Sequence, residues 1–169
     1  MVLERDNYGR LEHSVYGFVE VHYGEVASTD LGGRIGTDAL ESCVAVVLFG
    51  EEVLSLAHFP LEDPYPVFSY NGHEIISENE THRELADLMF SQHGPVSEDT
   101  EAMIIGGVEG LSEPLIEKLQ GMLGERGIKD SEVKGPHSED VLWYVRVKHG
   151  GVTIVEERSH QHSFGESSY

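Results

Sequence analysis

Two apolar runs stand almost back to back in this chain, "CVAVVLF" at residues 43–49 and "EVLSLAHF" at 52–59, with Gly50-Glu51 between them. Both are short and rich in β-branched and aliphatic side chains, so they read as strands. So close a spacing leaves room only for a tight turn, and the pair is expected to be a β-hairpin. A type II′ turn takes glycine at its first central position, and Gly50 stands there. Phe49 then pairs with Glu52, and the chain's single cysteine, Cys43, falls directly opposite His58. Facing side chains of this kind have Cβ atoms about 4.5–5.5 Å apart. A three-residue turn would instead set Cys43 opposite Phe59 and turn His58 to the other face. Both faces of the hairpin are apolar, so the hydrophobic pattern does not select the register; Gly50 favours the shorter turn.

The flanking sequence alternates between strand and helix signals. In "SVYGFVEVHY" (14–23), Val15, Gly17, Val19, Val21 and Tyr23 fall on one face and Tyr16, Phe18, Glu20 and His22 on the other, which predicts a strand. "STDLGGRIGTD" (28–38) reads as a loop, and "PLEDPYPVF" (60–68) as a Pro-rich one. "SENETHRELADLMFSQHG" (77–94) predicts a helix. Ser77 and Glu80 have capping-box spacing, and Leu85, Leu88, Met89 and Gln92 share a face. "AMIIGG" (102–107) predicts a strand. "SEPLIEKLQGMLGERG" (112–127) predicts a second helix, capped by Ser112, with Pro114 in its first turn. Its apolar stripe is Leu115, Leu119, Met122 and Leu123, and Gly124 or Gly127 ends it. "VLWYVRVKHGGVTIVEE" (141–157) predicts a closing hairpin with Gly150-Gly151 near the turn. The expectation is an α/β layered sandwich with a mixed, largely antiparallel sheet and two main helices, a single domain over residues 13–158 with flexible tails at 1–12 and 159–169.

Charge narrows the partners. Against 31 acidic residues stand 11 basic ones, a formal net charge of -20. Such a chain is repelled by phosphate backbones and anionic lipid, so neither nucleic acid nor membrane insertion is expected, and a salt-rich cytosol would suit it through screening. A lone cysteine excludes an internal disulfide. "MVLERD" has no apolar leader region, and no apolar run is long enough to span a bilayer, so a reducing cytoplasm is expected.

If Cys43 and His58 meet, their chemistry is defined. An imidazole makes the nucleophilic thiolate accessible and can later protonate a leaving group. A third group usually orients the imidazole; Thr37, Asp38 and Ser42 are candidates by proximity. Backbone N–H groups where this loop enters the strand are candidate oxyanion donors. Against this stands the ordinary behaviour of a lone cysteine, which is to pack as a small buried hydrophobe.

These residues resemble the chemoreceptor glutamine deamidases, the CheD family. That family has a Thr, then Leu-Gly-Ser-Cys-Val-Ala-Val opening a strand, then Ala-His-x-x-Leu ending the next. The matching stretches are Thr37 to Val46, with the Thr six residues before the Cys, and Ala57-His58-Phe59-Pro60-Leu61. "VHYGEVAST", "MIIGGVEGL", "LIEKLQGMLGERGIK" and "LWYVRVKHGGVTIVEE" extend the similarity over roughly residues 15–157. The resemblance implies a cofactor-free, cysteine-dependent protein-glutamine deamidase acting on the cytoplasmic region of chemoreceptors, in some members also a methylesterase, with a CheC-type phosphatase as a partner. It implies Cys43 as nucleophile, His58 as acid/base and Thr37 as the group orienting His58, with Ser42 and Glu41 in the substrate and oxyanion region. Glu41 stands where the family has glycine, and "KGPHSEDV" replaces the family's Gly- and Arg-containing segment. These departures leave a second reading open, a catalytically weakened or inactive adaptor on the same fold.

Ten histidines raise the question of metal. Most stand alone in the sequence, His160 and His162 form an HxH in the C-terminal tail, and no second cysteine supports a thiolate site, so no metal site is expected. "GGRIG" (32–36) lacks a following Walker lysine and reads as a loop beside Cys43.

Overall fold

The computed structural model describes residues 19–158. The elements run β1 (Val19–Val21), β2 (Val26–Asp30), β3 (Arg34–Leu40), β4 (Val44–Phe49), β5 (Val53–Phe59), β6 (Tyr65–Asn71), β7 (Glu74–Glu80), α1 (His82–His93), β8 (Glu101–Gly106), α2 (Glu113–Glu125), β9 (Ser131–Lys134), β10 (Val141–Lys148) and β11 (Gly151–Arg158). The expectations for residues 1–12 and 159–169, and for the start of the 14–23 strand, lie outside the described residues.

Three layers follow from where the apolar side chains point. A five-stranded sheet in the order β2-β5-β4-β8-β9 forms the middle. One of its faces (Val26, Val44, Val46, Leu48, Ala57, Phe59, Ile104) packs on α1 and α2. The other (Ala27, Ala45, Val47, Leu54, Leu56, Ile105) packs on a four-stranded sheet, β1-β3-β10-β11, through Val19, Val21, Ile35, Leu40, Val145 and Val147. A strand covered on both faces has no polar face to show, which is why "VAVVL" in β4 is unbroken and wholly buried. The fold is therefore mixed α/β, a layered sandwich with mostly antiparallel pairing and two helices, as expected.

The helices are built as their sequences suggest, except at their caps. α1 buries Leu85, Ala86, Met89 and Phe90, and α2 buries Leu115, Ile116, Leu119, Met122 and Leu123. Thr81, not Ser77, caps α1: its Oγ1 accepts the Glu84 N–H at 3.2 Å and its hydroxyl donates to Glu84 Oε1 at 3.2 Å. Ser77 belongs to β7. Ser112 precedes α2 but makes no capping bond, because its hydroxyl is used elsewhere. Exposed ion pairs, Arg83 with Glu125 at 3.0 Å and Arg126 with Asp87, link the two helices. No helix of the described residues is long and apolar enough to cross a membrane.

Three local expectations are corrected. "STDLGGRIGTD" is not a loop; it holds the end of β2 and most of β3, joined by a tight turn in which Gly33 N–H donates to Asp30 O at 3.0 Å. "PLEDPYPVF" runs into β6, the first strand of a separate two-stranded ribbon with β7. The β4–β5 turn is centred on Glu51-Glu52, with Gly50 N–H donating to Val53 O at 2.9 Å, so Phe49 pairs with Leu54. No non-glycine residue described has a positive φ, and Gly50 has none either, so the turn is neither I′ nor II′. Gly50 is required for another reason. A Cβ there would lie 2.8 Å from His93 Nε2, at the end of α1. The glycine makes room for a ring, not for a turn.

Candidate active site

The corrected turn displaces the register by two residues. His58 pairs with Ala45, not with Cys43. Because side chains alternate with period two, an even displacement keeps the face. Cys43 and His58 therefore share one face as diagonal neighbours, at about 7–8 Å rather than directly opposite. That face is turned toward the four-stranded sheet, where Ile35 and, two residues on, Thr37 point back from β3.

The imidazole meets Thr37 there. Thr37 Oγ1 lies 2.7 Å from His58 Nδ1, with both residues buried. When the hydroxyl accepts from Nδ1–H, Nε2 is left with its lone pair, the form a general base needs. The backbone on both sides is fixed. His58 N–H donates to Glu25 O at 3.0 Å and Gly24 N–H donates to His58 O at 2.9 Å. Arg146 Nη1 donates to Thr37 O at 3.0 Å from β10. Thr37, one of the groups upstream of Cys43 that could orient the ring, is bonded to it.

Cys43 is partly exposed, at the last residue before β4. Its loop is held by three donors from later in the chain. His137 Nε2 donates to Leu40 O at 3.0 Å, Ser112 Oγ to Ser42 O at 2.9 Å, and Gly107 N–H to Cys43 O at 3.1 Å. In a trans peptide the C=O and the following N–H point in opposite directions. Fixing Ser42 O on Ser112 thus turns the Cys43 N–H to the side away from Ser112. The close approach depends on Gly106, whose φ is 104°: a Cβ there would lie 3.0 Å from Cys43 O and would strain the backbone. Glu41 is exposed and has no positive φ, so a side chain there puts no strain on the backbone.

Tyr23 completes the site, and sequence reasoning did not single it out. Its ring is 42% exposed and lies 6.3 Å from the His58 ring. Its hydroxyl donates to Glu62 Oε2 at 3.1 Å, and its ring meets Tyr65 edge-on at 6.0 Å. Partial burial, then the Glu62 carboxylate, then a contribution from Cys43 push its pKa up to about 12, so it stays a neutral phenol at the rim. Ser112, His137 and Arg146 were missed as well. Their one legible signal was Gly106-Gly107, a glycine pair ending a strand, which often marks close backbone approach.

Elsewhere, His82 Nε2 donates to Pro60 O at 2.7 Å and Lys118 Nζ donates to its Nδ1 at 3.1 Å. Lys118 also pairs with Asp63, whose carboxyl is held below its ordinary value. Burial lowers the His82 pKa. Among the described residues no three His, Cys, Asp or Glu side chains cluster so as to hold a metal ion. No protein-family model matches the chain, and no curated protein matches it.

Proposed function

We propose that the chain is a cysteine-dependent protein-glutamine deamidase of the CheD kind, acting in the cytoplasm on chemoreceptor glutamines. The observation that carries this reading is the buried Thr37–His58 bond on the same inter-sheet face as the partly exposed Cys43. A third group bonded to the distal ring nitrogen is what a cysteine–histidine nucleophile requires.

In this reading His58 Nε2 takes the Cys43 proton, and Sγ attacks the side-chain carboxamide carbon. The Cys43 N–H helps to hold the resulting oxyanion. His58 returns the proton to the departing nitrogen, ammonia leaves, and a thioester remains. Water, activated by the same imidazole, then hydrolyses the thioester to glutamate and free thiol. The same steps on a glutamyl methyl ester would release methanol.

The test is ammonia release from a purified chemoreceptor cytoplasmic fragment, wild type against Cys43→Ala. Release that depends on Cys43 is expected; equal release from the two would overturn the reading. The diagonal setting of Cys43 and His58 favours one alternative, a non-catalytic adaptor that keeps the fold. It predicts that Cys43 labelling by an electrophilic probe follows an ordinary thiol titration and is indifferent to His58→Gln.

A further inference from the structure

Of the 11 basic residues in the chain, three meet at one spot. Arg34, Arg146 and Lys148, with Ile35, Val147 and Thr153, line a cavity of about 270 Å³ on the four-stranded sheet. The register explains the meeting. Ile35, Val145 and Val147 point into the core between the sheets, so Arg34, Arg146 and Lys148 point to the outer face. Lys148 pairs directly with Arg34, while Arg146 pairs with Gly36 on one side and Thr153 on the other. Gly151, opposite Lys148 on β11, contributes no side chain.

The cluster is unfavourable as it stands. Like charges directly opposite in a sheet destabilise it, and the third lies two residues along β10, within a Debye length. Carboxylates are plentiful in a chain of net charge -20, and Arg83, Lys118, Arg126 and Lys134 are each paired with one. The cavity has none in its lining; Glu20 faces Gly36 from β1 and stands outside it. Edge protection does not account for the charges, because β3 and β10 are the two inner strands of their sheet. Arg146 is also fixed in advance. Its Nη1 donates to Thr37 O and Val145 O, both at 3.0 Å, and the side chain lies across Gly36.

We propose that this cavity binds a small dianion of the phosphate type, free phosphate or a phosphate monoester. Such a group carries about -1.5 to -2 charges at pH 7 and three strong acceptor oxygens. Two guanidinium groups, an ammonium and the Thr153 hydroxyl are complementary to it. A carboxylate, with one charge, would leave most of the cluster uncompensated. A long phosphate backbone is excluded by the acidic surface around the site, and the cavity is below the roughly 300–1,000 Å³ of drug-sized ligand pockets. The site does not depend on the deamidase reading.

The test is titration of the full-length protein with inorganic phosphate, glycerol 3-phosphate and acetate at constant ionic strength, read by calorimetry and by the thermal midpoint. Both phosphates are expected to bind saturably at one site and to raise the midpoint, and acetate to do neither. Arg34→Gln/Lys148→Gln changes two exposed positions outside the candidate active site. It is expected to weaken phosphate binding about tenfold or more. Without phosphate its midpoint is expected to equal or exceed that of the wild type, because the opposed charges are gone. No saturable phosphate binding, equal binding by the variant, or equal binding of acetate would overturn the site. A variant that loses stability without phosphate would overturn it too, by showing the charges to be structural. Tighter binding of the monoester supports a phosphorylated small molecule as the occupant, and tighter binding of inorganic phosphate supports the free ion.

Discussion

Strand β5 carries two hydroxyl–imidazole pairs. At one end His58 Nδ1 meets Thr37 Oγ1 at 2.7 Å; in the middle Ser55 Oγ meets His93 Nδ1 at 2.8 Å and Ser28 Oγ at 2.8 Å. Both pairs are buried. They differ in what lies beyond the ring. His58 shares its face with a partly exposed thiol and lies beside a rim tyrosine. The His93 ring ends against Gly50, inside the seam between α1 and the β4–β5 turn. The same bond thus stands beside a partly exposed thiol in one place and holds a helix end in the other. A bonded imidazole becomes a candidate catalyst only when a nucleophile and an opening are present.

Several variants separate the two. Cys43→Ala is expected to lower ammonia release by about 10³-fold or more while leaving the denaturation midpoint nearly unchanged. His58→Gln is expected to cost about 10²–10⁴-fold and to slow alkylation of Cys43 near neutral pH, read by mass spectrometry. Thr37→Val keeps the shape and removes the acceptor; a loss of about tenfold in kcat is expected, with a stability cost of about 1–3 kcal/mol for a buried imidazole nitrogen left unpaired. At the other pair, Ser55→Ala is expected to cost a similar 1–3 kcal/mol in urea denaturation without changing Cys43 alkylation. Gly50→Ala, which drives a methyl toward His93 Nε2, is expected to destabilise by about 1–3 kcal/mol, and less in a His93→Ala background. If Ser55→Ala impaired alkylation as much as Thr37→Val did, the contrast between the pairs would fail.

The smallest effect is in pH. Burial lowers the folded pKa of His93 and His82 below the ordinary value of 6.5. The unfolded chain therefore takes up protons first as pH falls. The stability these two residues hold is complete above about pH 6.5 and is lost as pH drops from there through their folded values. Urea titrations between pH 8 and pH 5.5 are expected to show this decline, and His93→Phe is expected to flatten part of it.

The sequence was most informative where burial was symmetrical. The two apolar runs gave β4 and β5, and the leucine and methionine stripes gave both helices. It was least informative where one residue did an unexpected task. Gly50 pointed to a turn type, but it is small because His93 lies on it, and that error shifted the register by two. Parity preserved the Cys43–His58 face all the same. β3 was hidden by Gly36, Thr37 and Asp38. Gly36 is needed because a Cβ would lie 2.7 Å from Val145 O and 3.0 Å from Arg146 Cδ, and Thr37 because it bonds His58. The ribbon β6–β7 escaped notice because β7 is exposed almost throughout, and because the exposed positions of β6 (Pro66, Phe68, Tyr70) are no more polar than its inner ones, so its burial period leaves no mark in the sequence.

The staples under Cys43 have a consequence in time. The carbonyls of Leu40, Ser42 and Cys43 are held by His137, Ser112 and Gly107, and Thr37 by Arg146, all from the last two-thirds of the described chain. A ribosome-bound chain that has emerged only through α1 already contains Cys43, His58, Thr37 and the Gly24-Glu25 backbone that holds His58, but none of the four later groups that hold the Cys43 loop and Thr37. The Cys43 loop can gain its three ties only once the chain up to His137 is present, and Thr37 its tie only with β10, so the candidate site is among the last parts of the described chain that can be completed.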